Sequence, residues 1–198
     1  MEFPIFKLTI DPSEDGQTEV SAIALVDQPA IERNFMAFNS QQRFQVVSEE
    51  QRIISGPLMI PDMPIYRENQ EFGSHYVVFD AETIKAAAIK YAAKKYSDKV
   101  NEMHDQSKFI DGVVLFESFL ADNKRGIQCM AGYEDLPDGT WFGSMYVGND
   151  AAWQQVKDGT FKGFSVEGDF SYVIPKPTPE QMLATIQNYF QSLENYIS

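Results

Sequence analysis

Short runs of strand-forming residues, separated by turn clusters, recur along most of this chain of 198 residues. Residues 3–10 alternate apolar and polar side chains, and the apolar run Ile23–Val26 follows a turn cluster at residues 11–16. Alternation with period two is typical of a half-buried strand, whereas consecutive apolar residues predict a strand covered on both faces. We therefore expect a strand-rich chain in which the second strand, residues 19–26, is central.

Further strand segments follow the same patterns, each bounded by proline, glycine, asparagine or aspartate. Their predicted ranges are 35–38, 44–47, 51–60, 76–79, 112–120, 126–133, 140–147 and the stretch around Ser165. The segments 112–120 and 126–133 are expected to pair with each other.

Three helices are predicted among these strands. Asp80 can cap a helix over 81–96, and Asn149 can cap a short helix over Asp150–Lys157. Residues 179–197 follow a capping box and carry one apolar face. We expect an α+β domain over residues 1–175, a mainly antiparallel β-barrel or sandwich with two or three peripheral helices, and a C-terminal amphipathic helix over 176–198.

Charge and composition argue against several function classes. The net charge of −13 argues against binding nucleic acid, since contacts to phosphates need a basic surface. No window approaches the roughly 20 apolar residues of a membrane helix, and the first ten residues do not look like a targeting segment. Cys129 is the single cysteine, which excludes an internal disulfide and indicates a reducing compartment. We expect a cytoplasmic protein that binds neither nucleic acid nor membrane.

Metal and cofactor motifs are missing from the sequence. The two histidines, His75 and His104, lack the HxxxH or HxH spacing of zinc ligands, and there is no second cysteine. No glycine-rich phosphate-binding loop occurs either. We therefore expect neither a metal nor a cofactor.

Ser165 lies in a strand-like stretch between Gly163 and Gly168, where a substrate backbone could approach closely. Strand alternation places Glu167 on the same face as Ser165. A serine becomes a nucleophile when a base accepts its proton, and His104 is the candidate base. The competing interpretation is that these polar side chains simply face solvent and that His104 is structural.

Glu117 interrupts an otherwise apolar run between residues 113 and 120. Burial of an unpaired carboxylate is costly, so Glu117 should either reach solvent at a strand edge or meet a partner such as His104. Glu167 is the competing acid for His104, and Glu19 is a more distant one.

The chain resembles the prohead maturation proteases of tailed phages, in particular the XkdF-like branch, which is related in fold to herpesvirus assemblin. The resemblance runs in order over residues 3–173, through segments 20–31, 56–67, His104 with 112–119, and 139–168. It implies an assemblin-like serine endopeptidase with Ser165 as nucleophile and His104 as base. The implied substrates are the phage scaffold and major capsid protein, cleaved inside the immature prohead in the host cytoplasm, and a homodimer is implied as well.

The resemblance weakens at the third catalytic residue. In the better-known branch, a strand ending in a Leu-Val-x-x-Pro-Ala pattern follows the serine and carries an acid, whereas here the similar segment 25–30 precedes Ser165, a circularly permuted order. The matching position is Ala22, so a carboxylate must come from elsewhere or be absent. Glu117 is the preferred acid because it follows His104 within a motif segment. The alternative function is a non-catalytic head-assembly or scaffold-associated protein that retains the protease fold.

Overall fold

The computed structural model describes residues 3–13, 16–27 and 43–173. Its strands are β1 (Ile5–Thr9), β2 (Glu19–Val26), β3 (Gln45–Ser48), β4 (Ile53–Met59), β5 (Ile65–Asn69), β6 (Gly73–Phe79), β7 (Val100–Glu102), β8 (Asp105–Phe109), β9 (Val113–Leu120), β10 (Trp141–Val147), β11 (Gly163–Asp169) and β12 (Ser171–Val173). Its α-helices are α1 (Ala81–Ala93) and α2 (Asp150–Lys157). The predicted strand 35–38 and the predicted helix 179–197 lie outside the described residues.

The described strands form three four-stranded sheets, with strand orders β12-β1-β6-β5, β3-β4-β10-β9 and β11-β2-β7-β8. Most neighbouring pairs are antiparallel, but β1 pairs with β6 and β2 pairs with β7 in parallel. The described chain is thus mainly β-sheet with two helices, as predicted. Its sheets are open and two of them are mixed, so the barrel form of the prediction is not found in these ranges.

The strand β2 occupies the central position that its apolar run predicts. It lies between β11 and β7, and Ile23, Leu25 and the flanking Val20 are fully buried in the main core. Helix α1 packs against β2 and β10. Asp80 caps α1, because its carboxylate accepts a hydrogen bond from the Thr83 amide at 2.8 Å. Neither described helix has the length and apolar character needed to span a bilayer.

Several segments differ from the sequence prediction, including the strands β5 and β12, which were not predicted. Residues 126–133 form a loop instead of a strand, with one isolated bridge between Asp122 and Ile127. Tyr133 and Leu136 turn inward from this loop and pack around Phe142 in a second core. The hairpin of β7 and β8 was not predicted, because its residues are mostly polar and give no apolar alternation.

Lys90 fixes the loop between β1 and β2 to the buried side of α1. Its ammonium donates hydrogen bonds to the carbonyl oxygens of Asp11, Gly16 and Thr18 at 3.1, 2.8 and 2.9 Å. The residue is only 5% exposed, so these carbonyls replace the water that the charge loses on folding. The hydrogen bonds of Lys90 therefore hold the start of β2 in place.

Replacement Lys90→Met should lower the free energy of unfolding by about 2–3 kcal/mol, because it removes three hydrogen bonds from a charged donor to partly buried carbonyl groups. Urea titration followed by circular dichroism measures this change. Lys85→Met, on the exposed side of the same helix, should change stability by less than about 0.5 kcal/mol. Equal effects of the two replacements would show that the Lys90 contacts contribute little.

Candidate active site

Ser165 lies in β11, an edge strand of its sheet, and faces the same side as Glu167. The register places Ser165 opposite Ala24 and Glu167 opposite Ala22 on β2. On the next strand, Asn101 of β7 is opposite Ala24. Ser165, Ala24 and Asn101 therefore form one row across three strands, on the side of the sheet opposite the core residues Ile23 and Val100.

Small side chains on β2 allow the side chains of Glu167 on β11 and Asn101 on β7 to contact each other across it. Neighbouring strands lie about 4.8 Å apart, so β11 and β7 are separated by roughly twice that distance. Side chains at positions 22 and 24 are only methyl groups. Above them, the Asn101 amide donates a hydrogen bond to Glu167 Oε1 at 2.7 Å.

His104 lies at the tip of the β7–β8 hairpin. The pair Glu102 and Asp105 closes a two-residue loop in which both Met103 (φ 49°) and His104 (φ 63°) have left-handed backbone conformations. Two such residues are the signature of a type I′ hairpin turn, which usually selects asparagine or glycine. The Met103 amide also donates to the Leu25 carbonyl at 3.1 Å, which ties the tip to β2. Strained backbone conformations of this kind cluster at functional sites.

Glu167 joins the hairpin tip to β11. Its Oε1 lies 3.0 Å from His104 Nδ1, and the Glu167 side chain is 10% exposed whereas that of His104 is 43% exposed. A carboxylate accepts hydrogen bonds only, so Nδ1 carries the proton in this contact. The other ring nitrogen, Nε2, is then free of a proton in the neutral ring and can accept one.

Ser165 and His104 both line a pocket of about 570 Å³. Ser165, His104 and Glu167 line it together with Arg67, and apolar side chains from β4, β5 and β6 form much of its wall. This volume lies within the range of about 300–1,000 Å³ that is typical of ligand sites. The pocket is therefore large enough to hold side chains of a bound peptide.

Within the described ranges, Ser165 and His104 share this pocket without a hydrogen bond between their side chains. Ser165 is 4% exposed, and the described contact of His104 is the one to Glu167. Catalytic hydrogen bonds are often long in a free enzyme and shorten when substrate binds. The structure thus brings Ser165 and His104 to one pocket, with no direct contact between their side chains among the described hydrogen bonds.

Glu117 lies elsewhere, so the prediction that it contacts His104 is corrected. It belongs to β9, the edge strand of a different sheet, where it is opposite Ser144 and exposed to solvent. The acid in an apolar strand is explained by this edge position, because its carboxylate reaches water and needs no buried partner. The carboxylate beside His104 is that of Glu167, the competing candidate.

His75, the second histidine, has a structural role. It is fully buried, and its two ring nitrogens lie 2.8 Å from the Gly73 carbonyl and 2.9 Å from the Tyr172 hydroxyl. Phe6, Phe72 and Tyr172 surround the ring. This leaves His104 as the histidine that faces the pocket. Over the described part of the chain, no group of three or more His, Cys, Asp or Glu residues is arranged to hold a metal ion.

Sequence reasoning missed Asn101 as a member of the site. It is fully buried, and its side-chain oxygen has no hydrogen-bond partner among the described residues. An unsatisfied buried polar atom costs about 1–3 kcal/mol. The Asn101 amide nitrogen still donates to Glu167 Oε1. Asn101 therefore positions Glu167, although its unpaired oxygen lowers stability. A polar residue in the short strand β7 gave no signal before its pairing with β2 was known.

Gly168 allows the close approach of β11 to β2 beside Glu167. The register shifts between Glu167 and Gly168, and a Cβ atom at Gly168 would lie 2.0 Å from the Glu19 carbonyl oxygen. Such a distance is far below any tolerated contact with backbone.

Replacement Gly168→Ala should therefore destabilise the protein by about 1–3 kcal/mol, because the strands must separate to admit the methyl group. Thermal unfolding followed by calorimetry measures this effect. The neighbouring exposed Asp169 provides the control, since Asp169→Ala should change stability by no more than about 0.5 kcal/mol. An unchanged Gly168→Ala melting temperature would contradict the close strand packing at Glu167.

Comparison with known proteins identifies a matching family. The family model described as "Putative phage serine protease XkdF" matches residues 42–173, about two thirds of the chain. This span contains Ser165, His104 and Glu167. No curated protein matches, and no solved structure matches.

Proposed function

The chain belongs to the XkdF family of phage serine proteases, and from this membership we propose that it is a serine endopeptidase acting through Ser165, His104 and Glu167. The observation that carries the proposal is the contact of 3.0 Å between Glu167 and His104 Nδ1 in the pocket that also contains Ser165. A serine, a histidine and an acid that orients the histidine are the parts of a serine protease triad.

Glu167 has the role of orienting His104. Its carboxylate accepts the Nδ1 proton, which keeps Nε2 available as the general base and stabilises the positive charge when His104 takes a second proton. Asn101 is a positioning residue, since its amide holds the same carboxylate oxygen at 2.7 Å. The limited exposure of Glu167 strengthens these contacts, because water screens them less.

The proposed reaction is acyl transfer. Nε2 of His104 accepts the hydroxyl proton while Ser165 Oγ attacks the carbonyl carbon of a peptide bond. Backbone amides stabilise the resulting oxyanion, and the imidazolium returns the proton to the leaving amine. A water molecule, deprotonated by His104, then hydrolyses the ester on Ser165 and regenerates the free serine.

Glu167 also explains how the site can have an acid although position 22 is an alanine. The resemblance to other prohead proteases assigns the acid to the position of Ala22, and the register places Glu167 directly opposite that alanine. The carboxylate is then supplied by the neighbouring strand at the same level of the sheet. This geometry supports Glu167, in place of Glu117, as the third member.

The biological role that we propose is maturation of the phage head. The substrates are segments of the scaffold and the major capsid protein, cleaved inside the immature prohead in the host cytoplasm. The family match to phage proteases and the resemblance of the sequence to prohead proteases support this role. Self-association into a homodimer and an assemblin-like fold belong to the same proposal.

Incubation of the protein with the scaffold and capsid proteins of the same phage tests the proposal. The wild-type chain should produce defined fragments in intact-mass measurements, and Ser165→Ala should produce none while remaining folded by circular dichroism. Intact substrates with both proteins would instead favour the non-catalytic head-assembly protein.

A matched pair of variants tests the acid. Glu167→Gln should lower kcat/KM at least about 100-fold, since an amide in place of the carboxylate no longer fixes the tautomer of His104. Glu117→Gln, at the exposed edge of another sheet, should stay within about twofold of wild type. The reverse order of effects would return the role to Glu117.

A further inference from the structure

Arg67 is a cation of the pocket that the proposed chemistry does not use. It lies in β5 opposite His75 and lines the pocket with Ser165 and His104. Its described hydrogen bond is from a terminal guanidinium nitrogen to the Tyr66 carbonyl, at 3.0 Å. The guanidinium has five N–H donors, so most of its hydrogen-bonding capacity is left for a ligand.

No carboxylate of the described residues forms an ion pair with Arg67. This is notable in a chain with 29 acidic and 16 basic side chains, where the arginines Arg52 and Arg125 pair with Asp150 and Asp122. With so many acidic side chains in the sequence, an arginine placed at random would be expected to have a carboxylate nearby. The described side chains thus form no ion pair with Arg67, and the carboxylate of Glu167, which lines the same pocket, contacts Asn101 and His104 instead.

The surroundings of Arg67 favour an anion at this point. Leu58, Ile60, Ile65 and Phe79 contribute apolar wall to the same pocket. Arg67 is exposed as a residue, and although the neighbouring protein atoms lower its pKa by desolvation, the guanidinium stays charged because its ordinary pKa is far above neutrality. A bound carboxylate could accept two parallel hydrogen bonds from the guanidinium.

We propose that Arg67 determines substrate specificity by binding an aspartate or glutamate side chain of the peptide, near the bond that Ser165 cleaves. Asp and Glu are the ordinary anionic groups of a polypeptide, so a peptide substrate supplies this ligand without modification. The inference rests on the proposed endopeptidase function, which provides the peptide. It adds the chemical class of residue that the pocket selects.

A peptide library tests the inference over many sequences at once. A proteome digested to peptides is incubated with the wild-type chain, and mass spectrometry of the new termini gives the residue frequencies on both sides of each cleaved bond. Cleaved peptides should be enriched in Asp or Glu at one fixed position. Synthetic peptides that differ only by Glu or Gln at this position should differ about 10- to 100-fold in kcat/KM.

Two variants and a control link the preference to Arg67. Arg67→Gln should abolish the Glu-over-Gln preference, with the larger loss of kcat/KM on the Glu peptide, and Arg67→Glu should favour Lys or Arg at the same position. Arg125→Gln removes an equal charge outside the pocket and should retain the wild-type preference. Circular dichroism verifies that each variant is folded.

The outcomes separate this inference from the proposed function. Cleavage that depends on Ser165 but shows no acidic preference in the wild type overturns the role of Arg67 and leaves the protease intact. An acidic preference that persists in folded Arg67→Glu also overturns it. Absence of any Ser165-dependent cleavage contradicts the protease itself, and the inference fails with it.

Discussion

The site depends on one carboxylate oxygen, Oε1 of Glu167, which contacts both Asn101 and His104 across an intervening strand. This arrangement requires methyl side chains at Ala22 and Ala24, because larger groups would fill the space above β2. It also requires a hairpin whose tip adopts left-handed backbone conformations, so that the ring of His104 reaches Glu167. The sheet β11-β2-β7-β8 thus supplies Glu167 from β11, the two alanines from β2, and His104 from the turn between β7 and β8.

The same arrangement accounts for a buried polar atom that has no hydrogen-bond partner among the described residues. Asn101 retains a buried oxygen without a described partner, which is unfavourable for folding. Its amide holds the carboxylate that orients His104, and the partial burial of Glu167 makes that contact stronger. Two local features that lower stability, this oxygen and the positive φ angles of Met103 and His104, lie beside the contact between Glu167 and His104.

Much of the fold could be predicted from the sequence, because apolar runs indicate β2 and β10 and capping residues indicate both described helices. Ser165 and His104 stand out because the chain has two histidines and a serine between glycines. The acid could not be chosen in advance. An exposed edge carboxylate such as Glu117 and a strand-spanning one such as Glu167 look alike until register is known. The polar hairpin β7–β8 and the unpaired charge of Arg67 likewise depend on tertiary pairing, which apolar periodicity does not encode.

The central claim is that Ser165 is a nucleophile activated by His104. Labelling with a fluorophosphonate, which forms a covalent bond with activated serines, tests it directly and needs no peptide substrate. The account predicts one adduct, mapped to Ser165 by mass spectrometry, and its loss in folded His104→Ala. No adduct on the folded wild-type chain, an adduct on another serine, or a labelling rate unchanged by His104→Ala would contradict it.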